Sequence, residues 1–318
     1  MSRGLQWRLT LPLLILTVLL AVMIWDPSPR REPTLLNVSV LIREADTTPW
    51  ASARQGMEQA AVDLGVELRF LALSEDNSAA EQQALLAREI EGGADGILLA
   101  PADPAALADA VKQASAKAVV VTLESDMSQS GAKACISVDN TAVGEALGRA
   151  VLNGVPQGGE AILLDSAPGS TGITARLTAA ARVLEAEGRQ VYVCRADQGR
   201  TLPDALGDAL RTRRSGAVVA FEAPALEQAA RVAQNAAHRP LVYGMGATPA
   251  VAAYLEQSYI TAIAAQNEFA VGYLSVQTAV STIRRTPSAA VVPLAFSMVR
   301  LENMYDPDNQ KLLFPVTR

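Results

Sequence analysis

The chain has 318 residues, a formal net charge of -6, and a composition that is 50% hydrophobic but 4% aromatic. That length suits two globular units with ample apolar material for a core. Acidic and basic residues are interspersed without a basic run or an Arg/Lys stripe, which argues against a nucleic-acid partner.

The N-terminal stretch 1–8 carries Arg3, Arg8 and the amino terminus, and an uncharged run, LTLPLLILTVLLAVMIW, follows over residues 9–25. Counted from Trp7, 19 residues of helix would span about 28 Å, close to one hydrocarbon core. Trp7 and Trp25 bracket the run as an aromatic belt would, and the positive flank is expected to stay in the cytoplasm. A cleaved signal peptide is the rival reading. It wants a shorter apolar core and a small-x-small site, whereas this run ends in Met23-Ile24-Trp25-Asp26-Pro27. No cysteine stands there to accept a lipid. An uncleaved single-pass anchor at about residues 7–25 is therefore the favoured expectation, with the bulk of the chain outside the cytoplasm. The segment DPSPRREP, residues 26–33, reads as an extended linker because its prolines oppose a helix.

From Leu35 onward, short β-branched runs alternate with Ala-rich stretches of helical period. The pattern predicts strands at 37–42, 66–71, 96–99, 118–123 and 135–138, with helices at 50–64, 78–91 and 104–114 between them. Trp50, Ala53, Met57, Ala60 and Leu64 fall on one face of the first helix. Asn77 or Ser78 would cap the second, with Glu81 completing a capping box. After a helix at 141–152 and the turn GVPQGG, the pattern restarts. Strands are expected at 161–164, 191–194, 217–221, 241–243 and 261–265, and helices near 173–187, 203–213, 224–237, 248–256 and 268–284. The strands are near-continuous apolar runs, so each is expected to be buried on both faces of a parallel sheet. Two similar five-strand α/β units result, with ligand sites expected beyond the carboxyl ends of their strands.

GxSxG, HExxH and GxxxxGK[ST] are all missing, so the common hydrolase, zincin and P-loop signatures are excluded. Cys135 and Cys194 lie far apart in apolar stretches and read as two buried thiols, although an oxidising compartment leaves a disulfide open. With no CxxC or Cys/His cluster, no metal site is expected. The single histidine, His238, reads as a helix-end residue complementing the dipole. Gly244-Met245-Gly246 vaguely resembles a dinucleotide loop, but Pro249 occupies the third glycine position. Gly169-Ser170-Thr171-Gly172 lacks a P-loop lysine and reads as a turn or a helix N-cap. No cofactor is expected.

The strand ends are more informative. Thr48-Pro49-Trp50 lies past the first strand, and Glu124 and Ser125 end the fourth. Arg176 stands in the first turns of the helix after the strand ending Leu164-Asp165. Glu222 follows Phe221, and Gln266 follows Ala265. An aromatic face with carboxylates, a guanidinium and an amide suits a polyol, which stacks and hydrogen-bonds.

The stretches NVSVLIREADTTPWASARQGMEQAAVDLGVEL, ADGILLAPADPAALADAV, VVVTLESD, ISVDNTAVGEALGRAV, AILLDSAPGSTGITAR, YGMGATPA and AIAAQNEFAVGYLSV together resemble the type I periplasmic-binding-protein-like family, the ribose/galactose-type sugar-binding proteins. The resemblance covers about residues 35–302 and implies two Rossmann-like lobes with parallel sheets joined by three crossings. These fall near Val138–Asp139, Gln266–Asn267 and 294–297. The implied N-terminal lobe is 34–138 plus 267–296, the C-terminal lobe 139–266 plus 297–318, and 1–33 holds the stub, anchor and linker. The resemblance implies that Trp50 stacks on the ligand, Arg176 binds hydroxyls and Gln266 is a hinge-side amide. Thr48, beside Trp50 past the first strand, is expected to point into the same cleft. Four positions depart from the sugar-binding pattern. Glu124 replaces an aspartate, Ser125 an arginine and Glu222 an asparagine or aspartate, and Gln198 stands where an aromatic is common. At a fifth, Gly246 stands where an aspartate grips hydroxyls.

The function expected is a membrane-anchored, extracytoplasmic solute-binding protein that closes over a small polar ligand, a sugar or polyol. Its membrane partner would be an ABC importer permease or a sensor histidine kinase, the latter favoured by a fixed tether. Two alternatives stay open. One is a glycoside-processing enzyme using Glu124 and Glu222 as an acid/base pair. The other is a LacI-like core without its DNA-binding domain, disfavoured by the anchor.

Overall fold

The computed structural model describes residue 17 and residues 35–156, 159–197, 199–286 and 293–314. The expected span at 7–25 lies outside the described residues except for Thr17. Among the described residues no helix is long and apolar enough to cross a membrane. The chain divides into the compact units Met1–Leu35 and Leu36–Arg318, and the second carries everything below.

In chain order the elements are β1 (Leu36–Leu41), α1 (Ala51–Leu64), β2 (Val66–Leu71), α2 (Ala79–Glu91), β3 (Gly96–Leu99), α3 (Pro104–Ser115), β4 (Val119–Leu123) and β5 (Ala134–Ile136). They continue with α4 (Asn140–Gly154), β6 (Glu160–Asp165), α5 (Thr171–Ala186), β7 (Val191–Arg195), α6 (Leu202–Thr212), β8 (Ser215–Ala220), α7 (Ala223–Gln234), β9 (Leu241–Met245), α8 (Pro249–Glu256) and β10 (Ala262–Gln266). The chain closes with α9 (Glu268–Arg284), β11 (Phe296–Val299) and α10 (Pro307–Leu313).

Two sheets form, in the orders β2-β1-β3-β4-β5 and β11-β10-β9-β8-β6-β7. Every pairing is parallel except β10 with β11. The second sheet therefore has six strands rather than the expected five, because Phe296–Val299 adds an antiparallel edge. The near-continuous apolar strands are explained by burial on both faces. In the first sheet Val40, Ile42, Leu98 and Val121 pack into the layer holding α1 and α9. Their neighbours Leu41, Ile97, Leu99 and Val120 pack on the opposite side with residues of α2 and α3. The second sheet repeats the alternation, with Ile162, Leu164 and Val218 on one side and Ala161, Leu163 and Val219 on the other.

The chain leaves the first sheet after β5, builds the second, and returns with α9, which packs against α1, β3 and β4. It then crosses again to β11. Two of the crossing segments run side by side: Val138 and Leu294 form a parallel bridge, and the Leu294 amide donates to the Ser137 carbonyl at 2.9 Å.

Local signals behave unevenly. Ser78 caps α2 through its hydroxyl, but Glu81 does not close the box. Its carboxylate accepts instead from the amide and hydroxyl of Ser74. Ser170 caps α5 by accepting from the Ile173 amide, the second of the two readings open for the GSTG stretch. His238 lies four positions beyond the last residue of α7 and is exposed, rather than on its final turn. Both cysteines are free, with Cys194 buried and Cys135 partly exposed, so the second is less covered than expected. They stand on β5 and β7, in different sheets.

Candidate functional site

The carboxyl ends of β1, β4, β8, β9 and β10 converge on one cavity of about 60 Å³ between the two lobes. Arg43 and Glu44, just past β1, and Glu124, just past β4, come from the first lobe. Arg176 on α5, Glu222 just past β8, Met245 and Gly246 at the end of β9, and Gln266 at the end of β10 come from the second. Pro49 and Trp50 close the wall before α1, and Glu268 opens α9.

Arg43 is 3% exposed and sits at the centre of the charge network. Its Nη2 lies 2.5 Å from Glu222, 3.3 Å from Glu124 and 3.1 Å from Glu44, and its Nη1 donates to Asn77 at 3.2 Å. Burial opposes its charge, but the three carboxylates more than offset this and hold its pKa above the ordinary arginine value. The contact with Glu222 joins one lobe to the other. Arg176 is 1% exposed and donates from Nη1 to the Phe221 carbonyl and from Nε to Asn140, both at 2.7 Å. Its nearest carboxylate is Glu124, at 3.9 Å.

Four carboxylates thus share the cavity with two guanidiniums, and they do not titrate alike. Burial penalises Glu124, yet Arg43 and Arg176 overcome that and hold its pKa below the usual value. Burial dominates at Glu44, where Glu222 and Glu124 add repulsion, and its pKa rises to about 7. The Trp50 indole donates to Glu44 at 2.8 Å. Burial with repulsion from Glu124 likewise raises Glu268 to about 7. Its carboxylate accepts from the Gln266 amide nitrogen at 3.1 Å.

The backbone around the cavity is as constrained as the charges. Glu124 adopts φ 62°, a strained conformation for a residue with a side chain. Its carbonyl accepts from Asn140 at 3.1 Å and Ser137 at 3.4 Å, which ties the strained residue to the start of α4. Gly246 has φ 146°, and a Cβ there would stand 2.7 Å from the Ala223 Cβ.

Residues 38–285 match the family described as the periplasmic binding protein domain. The chain belongs to that family. Its members are solute-binding proteins, not enzymes. The fold is shared with solved relatives of low sequence identity. A carbohydrate transporter solute-binding protein from Agrobacterium radiobacter, in complex with D-arabinose, is 19% identical with a TM-score of 0.79, and the match covers 88% of this chain and 99% of that one. A carbohydrate transporter from Acidothermus cellulolyticus, in complex with myo-inositol, is 20% identical with a TM-score of 0.75, over 88% and 98%. A chain of the XylFII–LytSN complex is 15% identical with a TM-score of 0.74, over 85% and 99%. No curated relative matches the sequence.

Of the residues singled out from sequence, Trp50, Glu124, Arg176, Glu222, Gly246 and Gln266 line this one cavity. Thr48 lines a neighbouring, smaller one beside Thr248 and Pro249. Ser125 is 1% exposed and faces the other lobe instead of the cavity. It accepts from the Gly172 amide at 3.2 Å and lies 3.4 Å from the Ser170 hydroxyl. Gln198 lies outside the described residues. Arg43, Glu44 and Glu268 escaped the strand-end pattern. In the alternative enzyme reading Glu124 and Glu222 form an acid/base pair. Both lie against the same Arg43 nitrogen, and Glu124 is held ionised, a poor state for a general acid.

Proposed function

We propose that this protein is a membrane-anchored, extracytoplasmic binding protein that closes over a small hydroxyl-rich ligand, a sugar or polyol. The observation that carries this is the composite cavity. Trp50, two guanidiniums, four carboxylates and the Gln266 amide reach it from both lobes, so a ligand touching all of them favours the closed form. The relatives holding D-arabinose and myo-inositol support the ligand class. The cavity of about 60 Å³ is far smaller than ligand pockets of about 300 Å³ or more. A sugar must therefore displace the Arg43–Glu222 contact and part the lobes. Hydrogen bonds from its hydroxyls would replace those the arginine gives up.

The uncharged run at 7–25 would tether the chain. Closure would present a changed surface to a membrane partner, an ABC permease or a sensor histidine kinase. A fixed tether favours the receptor, and the XylFII–LytSN assembly is a precedent for a relative in complex with a second protein. A thermal-shift screen of the full chain in detergent against sugars and polyols tests the ligand. A ligand at about 100 times its Kd should add about 2.7 kcal/mol of stability, and Trp50→Ala should remove the shift. A screen with no shift would remove the reading. Copurification that recovers a permease and no kinase would overturn the receptor assignment.

A further inference from the structure

Resting on the binding reading above, we propose that the ligand is cationic: an amino sugar or amino polyol whose ammonium group sits against Glu268 and Gln266. The first argument is charge. The cavity is lined by Glu44, Glu124, Glu222 and Glu268 against Arg43 and Arg176. Those two cations are already committed. Arg43 holds Glu44, Glu124 and Glu222 within 3.3 Å, and Arg176 spends Nε and Nη1 on Asn140 and the Phe221 carbonyl. Among the described residues no lysine or arginine lies within 4.0 Å of Glu268.

The second argument is independent of charge. Gln266 is 5% exposed, lines the cavity, and its buried Oε1 has no hydrogen-bond partner. Its amide nitrogen is engaged by Glu268, so the group left open is an acceptor. A buried unpaired acceptor is costly and calls for a donor. The Trp50 indole N–H is spent on Glu44, and of the Arg176 guanidinium only Nη2, 3.9 Å from Glu124, makes no close contact. Beside Gln266 and Glu268 the open capacity is therefore for donors, and an ammonium supplies three with a charge that offsets the surplus of carboxylate. Trp50 adds an aromatic surface that attracts cations.

The titration of the site gives the proposal a signature. Glu268 has a pKa of about 7, facing Glu124 and Arg176, and Glu44, facing Arg43, Glu222 and Glu124, has one of about 7 as well. An ammonium beside Glu268 favours its ionised form, so binding expels a proton and tightens as pH rises from about 6 to about 7.

The test uses the full chain in detergent and isothermal titration in two buffers of different ionisation enthalpy. The probes are D-glucosamine, D-galactosamine, D-mannosamine and 1-amino-1-deoxy-D-sorbitol, each paired with its hydroxyl counterpart. At least one amine should bind about tenfold tighter or more than its counterpart, with protons released. Glu268→Gln, which keeps the shape and removes the charge, should cut that ratio by about tenfold. Neutral sugars binding as tightly as every matching amine would overturn the charge assignment and leave the polyol reading standing. An amine preference without proton release and unaffected by Glu268→Gln would also overturn it. No binding of either class would sink both readings.

Discussion

Arg43 decides whether the cleft is tolerable as a folded structure. Three carboxylates lie within 3.3 Å of its Nη2, and none has another arginine or lysine nearer than 3.9 Å among the described residues. Replacing one member of a buried charge cluster leaves the others unpaired, which costs about 3–5 kcal/mol. Arg43→Met should therefore lower stability by about 3 kcal/mol in urea titrations. Adding Glu222→Gln should restore part of the loss, because it removes one stranded charge. Gly246 makes a second residue-scale case. The family resemblance expects an aspartate there, yet φ 146° and a Cβ site 2.7 Å from Ala223 forbid one without movement of the β9–α8 turn. Gly246→Asp should cost about 1–3 kcal/mol in the same titrations. An aspartate tolerated without loss would show that the turn relaxes easily.

The helices are seated by glycine. A Cβ on Gly272 of α9 would stand 1.8 Å from the Ala53 carbonyl oxygen of α1, and one on Gly56 would stand 2.0 Å from that of Phe269. The two backbones touch, so the pair cannot accept a methyl without separating. Gly144 sets α4 against α5 in the same way, 2.1 Å from the Arg176 carbonyl oxygen. Gly272→Ala should cost about 2 kcal/mol or more despite its better helix propensity, measured as a lowered Tm. Gly93 has a φ of 80° but open space around it, so that alanine variant should show strain alone and a smaller loss.

The elements were largely legible in the sequence. The strands at 66–71 and 96–99 and the helix at 268–284 fall on their expected bounds, because apolar runs and helical period report burial directly. β11 was not legible: Phe296–Val299 is four residues with one fully buried side chain, too short and too half-covered to announce a strand. The site was legible where a strand end displays an unusual residue, as at Trp50 or Gln266. Arg43, Glu44 and Glu268 carry no such signal, because charged residues after a strand are ordinary on a surface and an acid at a helix start suits the dipole. Their role appears only once two sheets, distant in sequence, place their edges together.

At the scale of the whole molecule, the lobes are drawn together by groups that respond to pH. The bridges are Arg43 to Glu222, Arg176 to Glu124 and the Ser125–Ser170–Gly172 contacts. Glu44 and Glu268 work against this arrangement when ionised. Each has a folded pKa of about 7, while in the unfolded chain a glutamate titrates near about 4.3. Between those values the folded state holds more protons than the unfolded state. Stability therefore falls as pH rises from about 4.5 to about 7, then levels off once both states are ionised. Glu124 acts oppositely: its folded pKa is lowered, so its contribution is intact above about 4.3 and lost on further acidification. The net expectation is a Tm maximum near about pH 5, with a decline toward neutrality on the order of 2 kcal/mol from each raised carboxylate. Glu268→Gln should flatten that decline, because the amide cannot ionise, and calorimetry of the full chain across this range measures it. A Tm that rises steadily to about pH 7 in both proteins would mean that Arg43 and Arg176 keep Glu44 and Glu268 ionised in the folded state, and that the lobes close over a site with a surplus of negative charge.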